Sequence, residues 1–238
     1  MDHNIKIRIE AEEKLSREEA AQLLETAVGS RDYYELLYFA NQYSRQVFEE
    51  KGLIFAQIGL DLQPCGINCK FCSMAKDSMC GKDDFVRSLE KVVEEAKALV
   101  DTDIQDLFLM TTAQFSQELF LEYGKAVRAV LPADMRLVAN IADFDAAYAQ
   151  KLKEAGFTGV YHICRLREGI DTGAKLEDRI RTMDAVKSAG LELYYCVEPI
   201  GPEHTNEELA EEMVRIRDYP VGVMAVMKRT AGPGTPLA

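Results

Sequence analysis

The spacing of apolar positions changes close to residue 50 of the chain. Between residues 32 and 50 they recur at helical intervals, with Leu36, Phe39 and Val47 separated by charged side chains. This period is typical of amphipathic helices, so residues 1–50 are predicted to form an N-terminal helical segment. From residue 53 onward, short apolar runs alternate with longer amphipathic stretches.

The short apolar runs predict six strands, and the amphipathic stretches between them predict helices. The predicted strands are 53–60, 106–110, 135–140, 159–164, 191–197 and 221–226. The predicted helices are 85–100, 116–130, 146–155, 177–189 and 206–217. Repeated strand–helix units form parallel sheets with right-handed crossovers, and strands covered on both faces are short and apolar throughout.

Two α/β architectures fit this alternation, an open doubly wound sheet and a barrel. An open sheet that binds a nucleotide has a glycine-rich turn after its first strand, and none follows Leu60. Residues 51–238 are too few for the eight units of a full barrel. We therefore predict an α/β fold, a partial (β/α)6 TIM-like barrel over 51–238 preceded by the N-terminal helices. The last seven residues, 232–238, are rich in turn formers, which raises the expectation of a further C-terminal extension.

Composition and charge narrow the functional class. The 238 residues are 47% hydrophobic and 29% charged, as in ordinary globular proteins. No apolar run reaches the length of a membrane span, and the N-terminus lacks a signal-peptide pattern, so we expect a cytoplasmic protein. The formal net charge of −12 argues against non-specific nucleic-acid binding but leaves room for a local basic pocket.

Three of the six cysteines, Cys65, Cys69 and Cys72, lie within eight residues directly after the first predicted strand. In a barrel this position is a loop at the C-terminal mouth, where active sites are built. A closed zinc site has four ligands, whereas three thiolates suit an iron–sulfur cubane with one iron left open. A zinc knuckle, or a chance group of core thiols, is the alternative interpretation.

The Cys-x3-Cys-x2-Cys spacing, with Phe71 just before the last cysteine, resembles the radical S-adenosylmethionine (SAM) superfamily. Residues 61–72, 176–179 and 234–237 and the N-terminal helices resemble the branch that contains biotin synthase, the iron-hydrogenase maturase and methylornithine synthase. The resemblance implies a [4Fe–4S] cluster whose open iron binds SAM, and an electron donor such as flavodoxin or ferredoxin. It also implies hydrogen abstraction from a small polar substrate, in the biosynthesis of a cofactor or an amino-acid-derived metabolite.

The resemblance and the polar strand ends together predict the SAM-binding residues. By resemblance, Phe71 and Ile200 lie against the adenine, Glu168 meets the amino group of SAM, and Arg179 binds its carboxylate. The second strand departs from the family's Gly-Gly-Glu-like stretch, because it ends in two threonines. The predicted set is Phe71, Thr111, Thr112, Asn140, Arg165, Glu168, Arg179 and Ile200.

Sulfur insertion of the biotin synthase kind is not expected. By resemblance, that chemistry uses a second cluster held by cysteines on strands two, three and five. Here those positions offer Met110, Asn140 and Cys196, and Cys164 lies elsewhere. Two functions of other classes stay open at this point, a zinc-stabilised binding protein and an iron–sulfur electron carrier that does not use SAM.

Overall fold

The computed structural model describes residues 2–78, 84–230 and 232–237. The α-helices are α1 (His3–Glu10), α2 (Arg17–Leu24), α3 (Arg31–Val47), α4 (Leu89–Val100), α5 (Gln117–Arg128), α6 (Ala146–Glu154), α7 (Leu176–Ala189) and α8 (Asn206–Arg215). The strands are β1 (Phe55–Gly59), β2 (Asp61–Leu62), β3 (Phe85–Val86), β4 (Asp106–Met110), β5 (Arg136–Asn140), β6 (Gly159–Tyr161), β7 (Glu192–Ile200) and β8 (Val221–Lys228). None of these helices combines the length and the apolarity that crossing a membrane requires.

The chain forms two compact units, and the first of them is helical. It combines residues 1–53 with 202–217, so α8 packs against α2 although it follows β7, far along the chain. Both helices begin with a capping box. The Ser16 hydroxyl accepts a hydrogen bond from the backbone of Glu19, whose carboxylate accepts one from the backbone of Ser16. Such reciprocal caps satisfy donors at the start of a helix that would otherwise lack partners.

The second unit, residues 54–201 with 218–238, contains a six-stranded parallel sheet in the order β1-β4-β5-β6-β7-β8. This arrangement confirms the predicted partial barrel. In the register of the first three strands, Gly59 lies opposite Met110 and Met110 lies opposite Asn140. The carboxyl ends of these strands therefore meet at one edge of the sheet.

Alternate residues of the strands point to opposite faces of the sheet, and the side chains on each face pack into a separate core. Leu107, Leu109 and Leu137 are fully buried on the face that the crossover helices cover. On the inner face, Phe108 packs edge-on against Tyr194, with 5.2 Å between the ring centroids. Below this pair the fully buried Asp106 accepts hydrogen bonds from the Tyr194 hydroxyl (3.0 Å) and from Arg136 (2.6 Å). The ion pair compensates a buried carboxylate, which would be costly without a partner.

Two predicted boundaries differ from the structure. The helix predicted over 85–100 begins at Leu89, because Phe85–Val86 instead pairs antiparallel with Asp61–Leu62. The Ser88 hydroxyl then caps the helix. The strand predicted to reach Cys164 ends at Tyr161, where the chain turns into the loop that borders the site.

Candidate functional site

The three clustered cysteines lie in one loop, residues 63–78, which we call the cysteine loop. Backbone hydrogen bonds from Cys65 to Met74 (2.8 Å) and from Lys76 to Cys65 (3.0 Å) close the loop on itself. Asn68 adopts the left-handed conformation with φ of 54°. Asparagine tolerates this conformation because its short amide can form local hydrogen bonds. Here the Asn68 side-chain amide donates to the Asp77 carboxylate and accepts a hydrogen bond from the Asp77 backbone. The sequence between the cysteines thus builds a fixed loop.

Cys65, Cys69 and Cys72 line one cavity. All three are free, and Cys69 is buried while its two neighbours are half-buried. Burial raises the pKa of Cys69 to about 11. A bound metal reverses this effect, since a coordinated thiol loses its proton.

The number of thiols distinguishes between kinds of metal centre. A closed zinc site has four ligands, and the described lining of the cavity offers three cysteines. Three thiolates that each bind a different iron suit an iron–sulfur cubane with one iron left open. His162 also lines the cavity, but its Nε2 atom faces Asp143 at 3.0 Å.

A second loop, residues 165–173, braces the cysteine loop. The Lys70 backbone donates to the Asp171 carbonyl (2.9 Å), and the Lys70 ammonium pairs with the Asp171 carboxylate (3.0 Å). The Gly173 backbone donates to the Ile67 carbonyl at 2.6 Å. A Cβ atom on Gly173 would stand 2.7 Å from that same oxygen, so only glycine allows this approach.

The two predicted threonines after β4, Thr111 and Thr112, make different contacts. Buried Thr112 donates from its backbone (2.8 Å) and from its hydroxyl (2.6 Å) to the carboxylate of Asp61. Its hydroxyl is therefore engaged in holding β2 to β4. Thr111 and Asn140 line the cavity, and the Thr111 backbone donates to the Asn140 carbonyl at 3.0 Å. Sequence reasoning missed Asp61, although a carboxylate directly after an apolar strand is a signal of a strand-end site.

Arg179 on α7 stands between two carboxylates at the wall of the cavity. Its Nη1 atom donates to Asp143 at 3.1 Å, and its Nε atom faces Glu168 at 3.4 Å. Burial opposes ionisation of Asp143, yet the nearby imidazole of His162 and the charge of Arg179 hold its pKa below the ordinary value. Burial also lowers the pKa of His162, which is neutral at physiological pH. The Asp143 carboxylate thus fixes the guanidinium of Arg179 in place.

Arg165 is the cation that the cavity leaves available. Its side chain lines the cavity near Cys69, and within the described part of the chain its guanidinium forms no hydrogen bond or ion pair. Burial disfavours its charge, but Cys69 and Glu198 nearby raise its pKa above the ordinary value. An arginine fork with free donors is suited to a carboxylate.

Most predicted site residues surround this cavity, and two do not. Those that line it are Cys65, Cys69, Phe71, Cys72, Thr111, Thr112, Asn140, Arg165 and Arg179. Glu168 lies behind the wall, where it accepts hydrogen bonds from the Arg165 backbone and the Thr172 hydroxyl. Ile200 ends β7 and does not line the cavity. Cys80 lies outside the described residues, and Tyr161 lines the cavity without having been predicted.

Comparison with known proteins places the chain beside radical SAM enzymes. No protein-family profile matches it. It is 23% identical over 236 positions to biotin synthase of Streptococcus agalactiae serotype V, covering 94% of this chain and 68% of that one. It is also 23% identical to biotin synthase of Acinetobacter baylyi, over 70% of this chain and 53% of that enzyme. The chain thus spans about half the length of the second relative.

Solved structures share the fold at low sequence identity. Methylornithine synthase (PylB) superposes with a TM-score of 0.82 and 17% identity, covering 98% of this chain and 70% of that one. The FeFe-hydrogenase maturase HydG from Carboxydothermus hydrogenoformans superposes with a TM-score of 0.78 and 17% identity. The match covers 99% of this chain and 58% of that one. With the biotin synthase matches, these likenesses confirm the resemblance to the radical SAM superfamily and the partial-barrel fold.

Proposed function

We propose that this chain is a radical SAM enzyme that acts on a small polar substrate in the biosynthesis of a cofactor or an amino-acid-derived metabolite. The observation that carries the proposal is the set of three cysteines that line one cavity at the mouth of the barrel. The lack of a fourth cysteine in the described lining of that cavity speaks against a zinc-stabilised binding protein. An iron–sulfur electron carrier that does not use SAM is the remaining alternative.

Cys65, Cys69 and Cys72 would hold a [4Fe–4S] cluster and leave one iron without a protein ligand. When bound, the reduced cluster and SAM supply a 5′-deoxyadenosyl radical that removes a hydrogen atom from a substrate carbon. The protein contributes the position of these groups and the exclusion of water. The fixed cysteine loop and its brace at Asp171 and Gly173 serve the first of these tasks.

The charged wall of the cavity suits the zwitterionic end of SAM. Arg179, oriented by Asp143, and Arg165, which has free donors, provide two sites for a carboxylate. We assign the adenine to the neighbourhood of Phe71, which lines the cavity between two of the cysteines. The role of Glu168 is then to hold Arg179 from behind.

Sulfur insertion is not part of the proposal. Met110 and Asn140 occupy the ends of β4 and β5, so these strands offer no thiol to a second cluster. Cys164 is fully buried with its Sγ atom 3.7 Å from the Sδ atom of Met183. The proposal includes a low-potential donor of the flavodoxin or ferredoxin class, and a cytoplasmic location.

Anaerobic reconstitution with iron and sulfide tests the metal centre. The parent protein should bind about four irons and turn brown. Replacing Cys65, Cys69 or Cys72 by Ala should abolish iron binding, whereas Cys164→Ala should keep the parent's iron content. Tight stoichiometric zinc without iron uptake would contradict the proposal.

Reduction with dithionite in the presence of SAM tests the reaction. Formation of 5′-deoxyadenosine and methionine by the reconstituted protein supports the enzyme. An assembled cluster that leaves SAM intact and passes electrons to an acceptor would instead favour the electron carrier.

A further inference from the structure

A turn after β8 packs on the cysteine loop. It consists of residues 232–237, which we call the Thr235 turn. The Thr235 backbone donates to the Gly232 carbonyl at 3.0 Å, and the Thr235 hydroxyl donates to the same oxygen at 2.7 Å. The Thr235 side chain is buried, whereas its neighbours Gly234 and Pro236 are exposed. Two bonds to one carbonyl thus fix the turn around its buried threonine.

The turn contacts Lys70 and Phe71, the residues that separate the second and third clustered cysteines. The Leu237 backbone donates to the Lys70 carbonyl at 3.0 Å. A Cβ atom on Gly232 would stand 3.6 Å from the Phe71 carbonyl oxygen, so the other end of the turn lies close to that residue. No residue of the turn lines the cavity. The turn therefore acts on the site through Lys70 and Phe71.

Both sides of the Lys70 backbone are bonded to distant segments. Its N–H donates to the Asp171 carbonyl at 2.9 Å, within the brace, and its carbonyl accepts from Leu237. Backbone groups are obligatory hydrogen-bonding groups, so each of these bonds favours one position of the peptide. The Lys70–Phe71 segment is therefore clamped between the brace and the Thr235 turn.

The three cysteines are tied by bonds of the cysteine loop itself. The Cys65 backbone donates to the Met74 carbonyl at 2.8 Å, and the Cys72 backbone donates to the Cys69 carbonyl at 3.0 Å. Neither bond involves the Thr235 turn. Release of the turn is therefore expected to shift the Lys70–Phe71 segment more than it shifts the thiols.

We propose that the Thr235 turn is a positioning segment for SAM, which fixes Phe71 in the place where it meets the adenine. This role rests on the proposed function, in which the adenine lies at Phe71. Loss of one neutral hydrogen bond changes an equilibrium about two- to tenfold, and SAM affinity should fall within that range when the Leu237–Lys70 bond is removed. Iron binding should persist, because the thiols keep their own bonds.

A pair of substitutions at Leu237 isolates the bond to Lys70. Proline has no N–H to donate, whereas alanine keeps it, and both variants lose the leucine side chain. After anaerobic reconstitution, isothermal titration with SAM should show about two- to tenfold weaker binding by Leu237→Pro than by Leu237→Ala. Both should hold the parent's iron content, and the paramagnetic resonance signal of the reduced cluster without SAM should match the parent's.

Two glycines with positive φ separate positioning from a general loss of stability. Gly234 in the turn has a φ of 80°, and Gly190, which ends α7, has a φ of 68°. An alanine is strained at either place. Gly234→Ala and Gly190→Ala should therefore both lower the melting temperature, but only Gly234→Ala should weaken SAM binding.

Hydrogen exchange of the protein without cluster or SAM gives an independent readout. The Lys70 amide should exchange faster in Leu237→Pro than in Leu237→Ala, because its segment has lost one of two clamps. Equal exchange or equal SAM affinity in these two variants would overturn the proposal, as would a loss of affinity that only follows a loss of iron. A parent protein that assembles a cluster but binds no SAM would instead refute the proposed function, and the positioning role would fall with it.

Discussion

Replacing Arg179 by Ala tests the carboxylate-binding wall of the cavity. The side chain is 7% exposed and holds a position between Asp143, 3.1 Å away, and Glu168, 3.4 Å away. A charge-assisted hydrogen bond contributes about 1.5–3 kcal/mol, so its loss should weaken SAM binding about ten- to a hundredfold. The three cysteines are untouched, and the cluster should assemble.

The same substitution affects stability, because it removes the cation from a buried pair. The Glu168 side chain is 1% exposed, and after the substitution it keeps the hydrogen bonds from the Arg165 backbone and the Thr172 hydroxyl. Breaking one partner of a buried pair costs about 3–5 kcal/mol, and we expect a comparable fall in the free energy of unfolding. Thermal denaturation must therefore confirm that the variant is folded at the temperature of the binding assay.

Isothermal titration of the reconstituted protein with SAM gives the affinity, and iron analysis gives the cluster content. Arg179→Lys keeps the charge but loses the planar fork, so its affinity should lie between those of the parent and the Ala variant. Arg181→Ala is the matched control on the same helix, since Arg181 is 75% exposed and its pair with Asp178 contributes about 0–1 kcal/mol. A folded, cluster-bearing Arg179→Ala protein with the parent's SAM affinity would refute the assignment.

Three further substitutions follow from the contacts at the site. Because burial lowers the pKa of His162 from 6.5, its contribution to stability is complete above that pH and declines as the pH falls. His162→Gln should therefore flatten the fall in melting temperature toward about pH 5, and exposed His3→Gln should not. Gly173→Ala should lower iron uptake by pushing the brace off the cysteine loop, whereas Gly59→Ala, with no atom within 4 Å of the new methyl, should leave it unchanged. Thr112→Val should lower the urea-derived unfolding free energy by about 1–3 kcal/mol, and Thr112→Ser should recover most of it. Equal effects of each test variant and its control would contradict these assignments.

Features with a local signature could be predicted from the sequence. The six strands follow from short apolar runs, and the metal centre follows from three thiols spaced within eight residues. Both depend on neighbours along the chain. The six strands are present in the structure, and the three cysteines line one cavity. The position of Asn140 on the cavity wall follows from its place at a strand end, whereas Arg165 lies in the loop after β6.

Features that depend on distant partners could not be predicted. The Asp61–Thr112 bonds join residues 51 positions apart, so the hydroxyl predicted to face SAM is engaged elsewhere. Glu168 has the right charge for an ammonium, but the local pattern does not show that it lies 3.4 Å from Arg179 on α7. The pairing of β2 with β3 likewise overrides the helical pattern over 85–88. In each case the competing partner is invisible in the local pattern.

The bracing of the cysteine loop by a distant segment has a consequence for how the protein matures. Lys70 and Asp171 are 101 residues apart, and ribosomes add about 5–20 residues per second. The thiols are therefore synthesised about 5–20 s before their brace. Iron delivered during that interval would meet a loop without its fixed geometry. Loading of the cluster is thus expected to follow translation, with the nascent thiols kept reduced until the brace has formed.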